Sequence, residues 1–361
     1  MTLLPTTPHY LKFFYQLTGF VQFSYNESLE SLLSRLWCLP FYLYSLYLCF
    51  YFNSSDAYSG TGIFFYISIF SNSVNVFSIF TTFWICYTRS TSLRQILSQI
   101  SQIQVDVKQT SENNWHTFCI IGLLMANIAT LLVVNTPKNF ITYLYMLPLV
   151  INCAINLLIR DVLNLVFCKF ESVNYQLGRQ VTSKNLKEIF PSTKINRIEV
   201  LQDIEVDNDM KLVENLSHIH YNLVKLSFMV CENFEITIIA NLILWFEKII
   251  ETVYYAVYIS INETINNLVV DYVINLLFVA YSFYWLFTLI GHFCRVEREA
   301  NKTATIVHDI WNKVAVERKF DKRIRHLQLV SVKLLNTKLK FTARNFFTLD
   351  WTCCHMVKGK I

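Results

Sequence analysis

Glu247, Lys248 and Glu251 interrupt an otherwise apolar run of the chain. Ionisable side chains at bilayer depth are costly unless they pair or face water, which makes them functional candidates by default. Lys248 and Glu251 are three apart and can pair across one helical turn. Two readings stand side by side: a polar wall of a ligand pocket, and a self-satisfied pair near the outer end of a span. Around them lies a cluster of aromatic residues with hydrogen-bonding edges: Tyr254, Tyr255, Tyr258, Tyr272, Tyr281, Tyr284 and Trp285. An apolar face with one polar edge suits a small organic ligand, and also suits the interfacial belt of any membrane protein. Asp271 reads as an interfacial residue. The candidate ligand-binding set is Glu247, Lys248, Glu251, Tyr254, Tyr255, Tyr258, Tyr281, Tyr284 and Trp285.

Other chemistry finds little support. The sequence holds no phosphate loop, no zinc-protease helix and no serine elbow, and its eight His residues are scattered, so neither an enzyme nor a cofactor is expected. Cys353-Cys354-His355 is half a metal site with no second cluster at ligand spacing.

The elements that must position these residues are membrane helices. Of 361 residues, 53% are hydrophobic and 16% charged, against roughly 25% charged in soluble chains, and mean hydropathy is positive. Gly (7) and Pro (6) are scarce, which favours long unbroken helices and disfavours the interrupted helices of many transporters. Six segments approach the length needed to cross a bilayer: Leu36–Phe52, Thr61–Tyr87, Trp115–Val134, Phe140–Ile159, Ile236–Ile259 and Leu268–Cys294. Asn72, Ser73 and Asn75 are expected to make helix–helix hydrogen bonds from the second span. The N-terminus lacks the layout of a cleaved signal peptide, so the first span is expected to serve as insertion signal.

Lys and Arg set the orientation. The connections Asn53–Gly60 and Ser260–Asn267 carry none, and Asn135–Asn139 carries only Lys138. The second loop holds Arg89, Arg94 and Lys108, and the fourth runs from Arg160 through Lys169, Arg179, Lys184, Lys187, Lys194, Arg197 and Lys211 to Lys225. From Arg295 onward there are fifteen Lys and Arg against six acidic residues. The even loops and both termini are therefore expected in the cytoplasm. The basic tail reads as an orientation signal beside anionic lipid, not as a nucleic-acid surface. Sequons at Asn53 and Asn262 fall in outer loops, and those at Asn26, Asn215 and Asn301 fall inside. The cysteines imply no extracellular disulfide framework.

Apolar stripes continue beyond the spans. Val162, Val166, Phe170, Val173 and Leu177 extend the fourth span as a helix below the membrane. Lys194–Asp209 reads as polar and irregular. Leu212, Leu216, Ile219, Leu223, Leu226 and Val230 form a second amphipathic helix leading into the fifth span. Ile306, Ile310 and Val314 make one stripe in the tail, and Ile324, Leu327, Val330 and Leu334 another. The expected architecture is all-α: a polytopic membrane helical bundle with a cytoplasmic helical anchor domain. Its divisions are a cytoplasmic N-terminus (1–35), a six-span bundle (36–294) enclosing the long cytoplasmic loop 160–235, and a cytoplasmic C-terminal anchor segment (295–361).

The tail reads Phe341-Thr342-Ala343-Arg344-Asn345-Phe346-Phe347-Thr348-Leu349-Asp350, after a helix containing His326-Leu327-Gln328-Leu329. This run resembles the C-terminal signature of insect gustatory receptors, members of the insect chemoreceptor superfamily, and the layout of the whole chain is similar. The resemblance implies seven membrane helices with an internal N-terminus and an anchor domain packed by Phe341, Thr342, Ala343, Phe346, Phe347, Leu349 and Asp350. It further implies homo- or hetero-tetramers with related subunits, acting as ligand-gated cation channels for small-molecule tastants. Their place would be among the lipids of the plasma membrane, in a sensory neuron dendrite. The family's final pore helix, with its Thr-Tyr and Gln-Phe pairs, is not found after Met356, so six spans are expected here where the family has seven. Alternatives are a G-protein-coupled receptor, whose orientation and motifs the sequence does not match, a transporter, and a non-conducting truncated subunit.

Overall fold

The computed structural model describes residues 39, 42–43, 46–47, 62–103, 147–188, 198–261, 268–317, 322–344 and 347–350. Their elements are α1 (Gly62–Thr88), α2 (Ser90–Gln102), α3 (Leu147–Glu188), α4 (Ile198–Ile261), α5 (Leu268–Glu317) and α6 (Lys322–Asn336), followed by the strands β1 (Thr342–Ala343) and β2 (Phe347–Thr348). The second, fourth, fifth and sixth expected spans fall in α1, α3, α4 and α5. The third span and residues 1–35 lie outside the described residues, as does most of the first span. By length and apolarity alone, Ile151–Arg179 in α3 qualifies as a span among the described residues, with Ile69–Ile85 in α1 a shorter apolar stretch. In α4, Glu247, Lys248 and Glu251 interrupt the apolar run.

α3, α4 and α5 hold 42, 64 and 50 residues. At about 1.5 Å per residue each is far longer than the roughly 30 Å of a hydrocarbon core. α4 has neither Gly nor Pro, so once nucleated nothing ends it cheaply. This corrects the reading of Lys194–Asp209 as irregular, since the helix already begins at Ile198. A polar composition does not by itself exclude a helix.

The chain divides into two compact units. The first comprises Met1–Gln95, Thr110–Asp161 and Asn233–Ile290, and the second Ile96–Gln109, Val162–Glu232 and Gly291–Ile361.

The first unit turns large apolar side chains outward. Tyr66, Ile69, Phe70, Phe77, Phe80 and Trp84 line the outer face of α1, with Ile243, Ile250, Val253 and Val257 on α4 and Leu276, Phe283 and Phe287 on α5. Its interior instead buries Ser71, Ser78, Thr82, Asn152, Asn156, Asn241 and Glu247. A water-soluble fold does not expose so extensive an apolar surface, whereas lipid as solvent favours it.

The second unit has an apolar core. Val162, Val166, Phe170, Val173 and Leu177 of α3 are all 1% exposed or less, and Leu216, Leu223, Leu226 and Val230 of α4 are buried with them. On α5 the buried face is Ala300, Thr303, Ala304 and Val307, with Ile306 and Ile310 only half-buried. The expected 306–310–314 stripe is thus rotated by about one residue, because small residues let the helices approach closely. Asn174 Nδ2 donates to the Glu299 carbonyl (2.7 Å) and to Glu299 Oε1 (2.9 Å), while Thr303 Oγ1 donates to Asn174 Oδ1 (2.7 Å). The Lys169 ammonium caps the end of α2 by donating to the Ile103 carbonyl at 2.6 Å.

His220 is 3% exposed, lies edge-on to Phe170, and bonds the Ala300 carbonyl through Nε2 at 3.0 Å. That carbonyl can only accept, so Nε2 carries the proton, while the buried Nδ1 has no partner. Burial holds the imidazole pKa below its ordinary 6.5, against the opposing pull of the Ala300 bond. The unfolded chain takes up a proton near that ordinary value while the folded one resists it. The stability that neutral His220 supports is therefore complete above pH 6.5 and lost as pH falls through the folded pKa. Thermal unfolding between pH 7 and pH 5 should show the wild type losing more than His220→Gln, and equal losses would refute this.

The tail closes with an antiparallel pair, Thr342 opposite Thr348 and Ala343 opposite Phe347. Arg344 turns the chain with φ 49°, and the Leu349 N–H donates to the Phe341 carbonyl at 3.0 Å. Asn301 holds the approach to this hairpin. Its Nδ2 donates to the Leu339 carbonyl (3.0 Å), and its Oδ1 accepts the Leu339 N–H (2.9 Å). The amide of that sequon is thereby engaged.

Candidate functional site

The first unit carries three polar groupings inside its apolar shell. The first lies between α1 and α4. Lys248 Nζ donates to Ser71 Oγ (2.7 Å) and to Glu251 Oε2 (2.5 Å), and Ser71 Oγ donates to the same Glu251 oxygen (3.2 Å). These three groups satisfy one another as a ring. Glu247 stands apart, with one oxygen 3.7 Å from Lys248 Nζ and both oxygens buried without a hydrogen-bond partner. Side-chain exposure rises from 4% at Glu247 to 24% at Lys248 and 36% at Glu251. The ring is the self-satisfied pair extended by Ser71, and Glu247 lies buried beside it.

The second grouping is an amide ladder. Ser78 Oγ approaches Asn152 Oδ1 (2.9 Å) and Asn241 Oδ1 (3.1 Å), and Asn241 Nδ2 donates to Asn156 Oδ1 (3.0 Å). It ties α1, α3 and α4 together with polar side chains, the usual means of fixing helices in lipid. The sequence pointed instead to Asn72, Ser73 and Asn75. Ser73 is exposed and bonds back to the Ile69 carbonyl of its own helix at 2.7 Å, and Asn75 is buried. Ser71 and Ser78 are seven apart, on the face shared with Val74, Thr82 and Ile85, and that spacing was the signal available. Asn152 and Asn156, four apart in an apolar run, were the matching one.

The third grouping is aromatic. Tyr281 and Trp285, one turn apart on α5, are 3% and 1% exposed, with their rings edge to face at 6.3 Å. Tyr284 flanks Trp285 at 5.8 Å. The Tyr281 hydroxyl and the Trp285 Nε1–H are buried and make no well-formed hydrogen bond, although they lie close to one another and the hydroxyl lies close to the Cys153 thiol. Tyr254 is half-buried on α4, and Tyr255 and Tyr258 lie in the same helix. Two poorly satisfied buried donors one turn apart fit a ligand offering an acceptor atom.

The tail motif belongs to the second unit. Phe341, Ala343 and Leu349 are each 1% exposed or less, and Phe341 lies edge-on to Phe293 at 5.0 Å. The Glu297 carboxylate takes a hydrogen bond from the Phe341 backbone. Burial raises the Glu297 pKa, which that bond pulls back down. Asp350, half-buried, is close enough to raise it further. Cys231 Sγ points to the Thr342 carbonyl at 3.6 Å, and Thr342 is half-buried. Phe347 lies in β2, and Phe346 lies outside the described residues.

Lipid-facing helices with inward polar groupings define a multi-pass helical membrane protein. A model of the 7tm chemosensory receptor family matches residues 9–359, and the chain belongs to that family. Among solved structures it is similar to the insect olfactory receptor OR5 from Machilis hrabei, determined in complex with eugenol. The TM-score is 0.66 and the identity 9%, over 97% of this chain and 94% of that one, a likeness of fold alone. No curated protein matches.

Proposed function

We propose that this chemosensory receptor is a gustatory receptor subunit, part of a ligand-gated cation channel that responds to small organic tastants. The observation that carries ligand binding is the pair of buried donors on α5, Tyr281 hydroxyl and Trp285 Nε1–H. Neither makes a well-formed hydrogen bond, although the two lie close to one another and the hydroxyl close to the Cys153 thiol. A buried donor left wholly unsatisfied costs about 1–3 kcal/mol, and an acceptor-bearing ligand recovers whatever part of that these two donors still bear. The relative OR5 was solved with eugenol, whose ether and phenol oxygens are acceptors of this kind. The gustatory rather than olfactory assignment rests on the tail run Phe341 to Asp350. Tyr175, Tyr221, Phe228, Leu329 and Val332 are exposed apolar side chains on the second unit, and they support assembly with related subunits into a tetramer. The plasma membrane of a sensory dendrite is the setting this reading requires.

The test is to express the chain, alone and with related subunits, and record cation currents against a panel of organic tastants, with surface labelling as control. Trp285→Phe and Tyr281→Phe keep the rings and remove the donors. Each should raise the half-maximal concentration of an acceptor-bearing agonist about tenfold, the worth of one hydrogen bond. Unchanged dose–response curves in both variants would remove the α5 pair from the site.

A further inference from the structure

We propose that the Glu247 carboxylate receives a protonated amine, held between α1 and α4 as a second subsite. The proposal rests on the receptor reading above and adds a ligand class to it. Lys248 has its ammonium committed to Ser71 and Glu251, and those three groups close on themselves. Glu247 is left outside the ring, 5% exposed, aimed at it from 3.7 Å, with neither oxygen hydrogen-bonded. With both carboxylates and the ammonium charged, the cluster sums to one negative charge. What it lacks is thus a hydrogen-bond donor that is also a cation.

A hydroxyl supplies a donor without charge, and a metal ion or quaternary ammonium supplies charge without a donor. A primary ammonium supplies both, and Glu247 can then bridge two ammonium groups, that of Lys248 on one side and the ligand's on the other. The ligand's apolar remainder finds lipid-depth surroundings, and the rise in exposure toward Glu251 marks the direction of approach. Charge-assisted bonds of this kind are the strong ones where water is excluded.

The experiment measures thermal stabilisation of the purified full chain in lipid nanodiscs by four probes: hexylamine, hexanol, tetramethylammonium and sodium. Anisole, a neutral acceptor-bearing compound, reports separately on the α5 donors. Hexylamine should stabilise more than the other three. Glu247→Gln keeps the shape and leaves the Lys248 ammonium its Ser71 and Glu251 partners, so it should fold, and its anisole response verifies this. In that variant hexylamine affinity should fall about tenfold to a hundredfold while anisole binding is unchanged. Equal stabilisation by hexanol or sodium, or hexylamine binding that survives in Glu247→Gln, overturns the amine site and leaves the receptor reading intact. No stabilisation by any organic probe, anisole included, overturns both.

Discussion

Lys248→Met should strip the receptor from the cell surface. The ammonium is the one cation in the ring it forms with Ser71 and Glu251, and it stands 3.7 Å from Glu247. Methionine of similar length leaves two carboxylates facing each other at membrane depth, with only the Ser71 hydroxyl as a donor in the ring. Removing one member of a buried ion pair costs about 3–5 kcal/mol, and the partial exposure of Glu251 places this case near 3. Against a total stability of about 5–15 kcal/mol, that suffices to divert much of the protein to degradation. Surface biotinylation relative to total protein is the measurement. The combination Glu247→Gln, Lys248→Met, Glu251→Gln should recover delivery, because it carries no charge to strand. Wild-type delivery of Lys248→Met alone would show that the ring contributes nothing to folding.

How much of this cluster was legible follows from how far apart its members lie in the chain. Glu247, Lys248 and Glu251 announce themselves as charges in an apolar run, and helical spacing alone gives the Lys248–Glu251 pair. Ser71 is 177 residues from Lys248 and looks like any serine of a membrane helix until α1 and α4 are docked. The same limit hid Ser78, whose partners Asn152 and Asn241 lie 74 and 163 residues away. Ser73, equally polar in the sequence, satisfies itself on its own helix, as serine readily does. The aromatic group was visible by composition, but a sequence does not reveal which hydroxyl is left without a partner.

Helix existence was readable from periodicity, and helix extent was not. The stripe from Val162 to Leu177 correctly carried the fourth span onward, because its burial follows one face of one helix. Residues 198–209 are polar, and composition alone does not separate a polar stretch of helix from a polar loop. In the tail, bulky residues mark the stripe 306–310–314, whereas the buried face is Ala300, Thr303, Ala304 and Val307. The hairpin escaped altogether. Its strands are two residues each, too short for an alternation pattern, and its turn uses a left-handed arginine that no turn preference predicts.

That hairpin is where the second large effect is expected. Phe341→Ala should unfold the second unit or lower its melting temperature more than any other single change in the tail. The ring is 1% exposed and packs edge-on against Phe293 at 5.0 Å. Its backbone carbonyl accepts the Leu349 N–H, and its N–H reaches the Glu297 carboxylate. Removing a buried phenyl costs about 3–5 kcal/mol, the lost transfer energy plus the cavity left behind. Collapse of the neighbours into that cavity is resisted on both sides: Asn301 holds Leu339, and the turn at Arg344 fixes the strands. Phe341→Leu fills most of the space and should cost well under half as much, while Lys340→Ala, at an exposed position beside it, should change little. Thermal unfolding of the three variants in nanodiscs gives the ranking, and size-exclusion profiles report whether assembly follows stability. If Phe341→Ala melts with Lys340→Ala, the aromatic run is not a packing element, and its place in the tail would need a role in contacts beyond this chain.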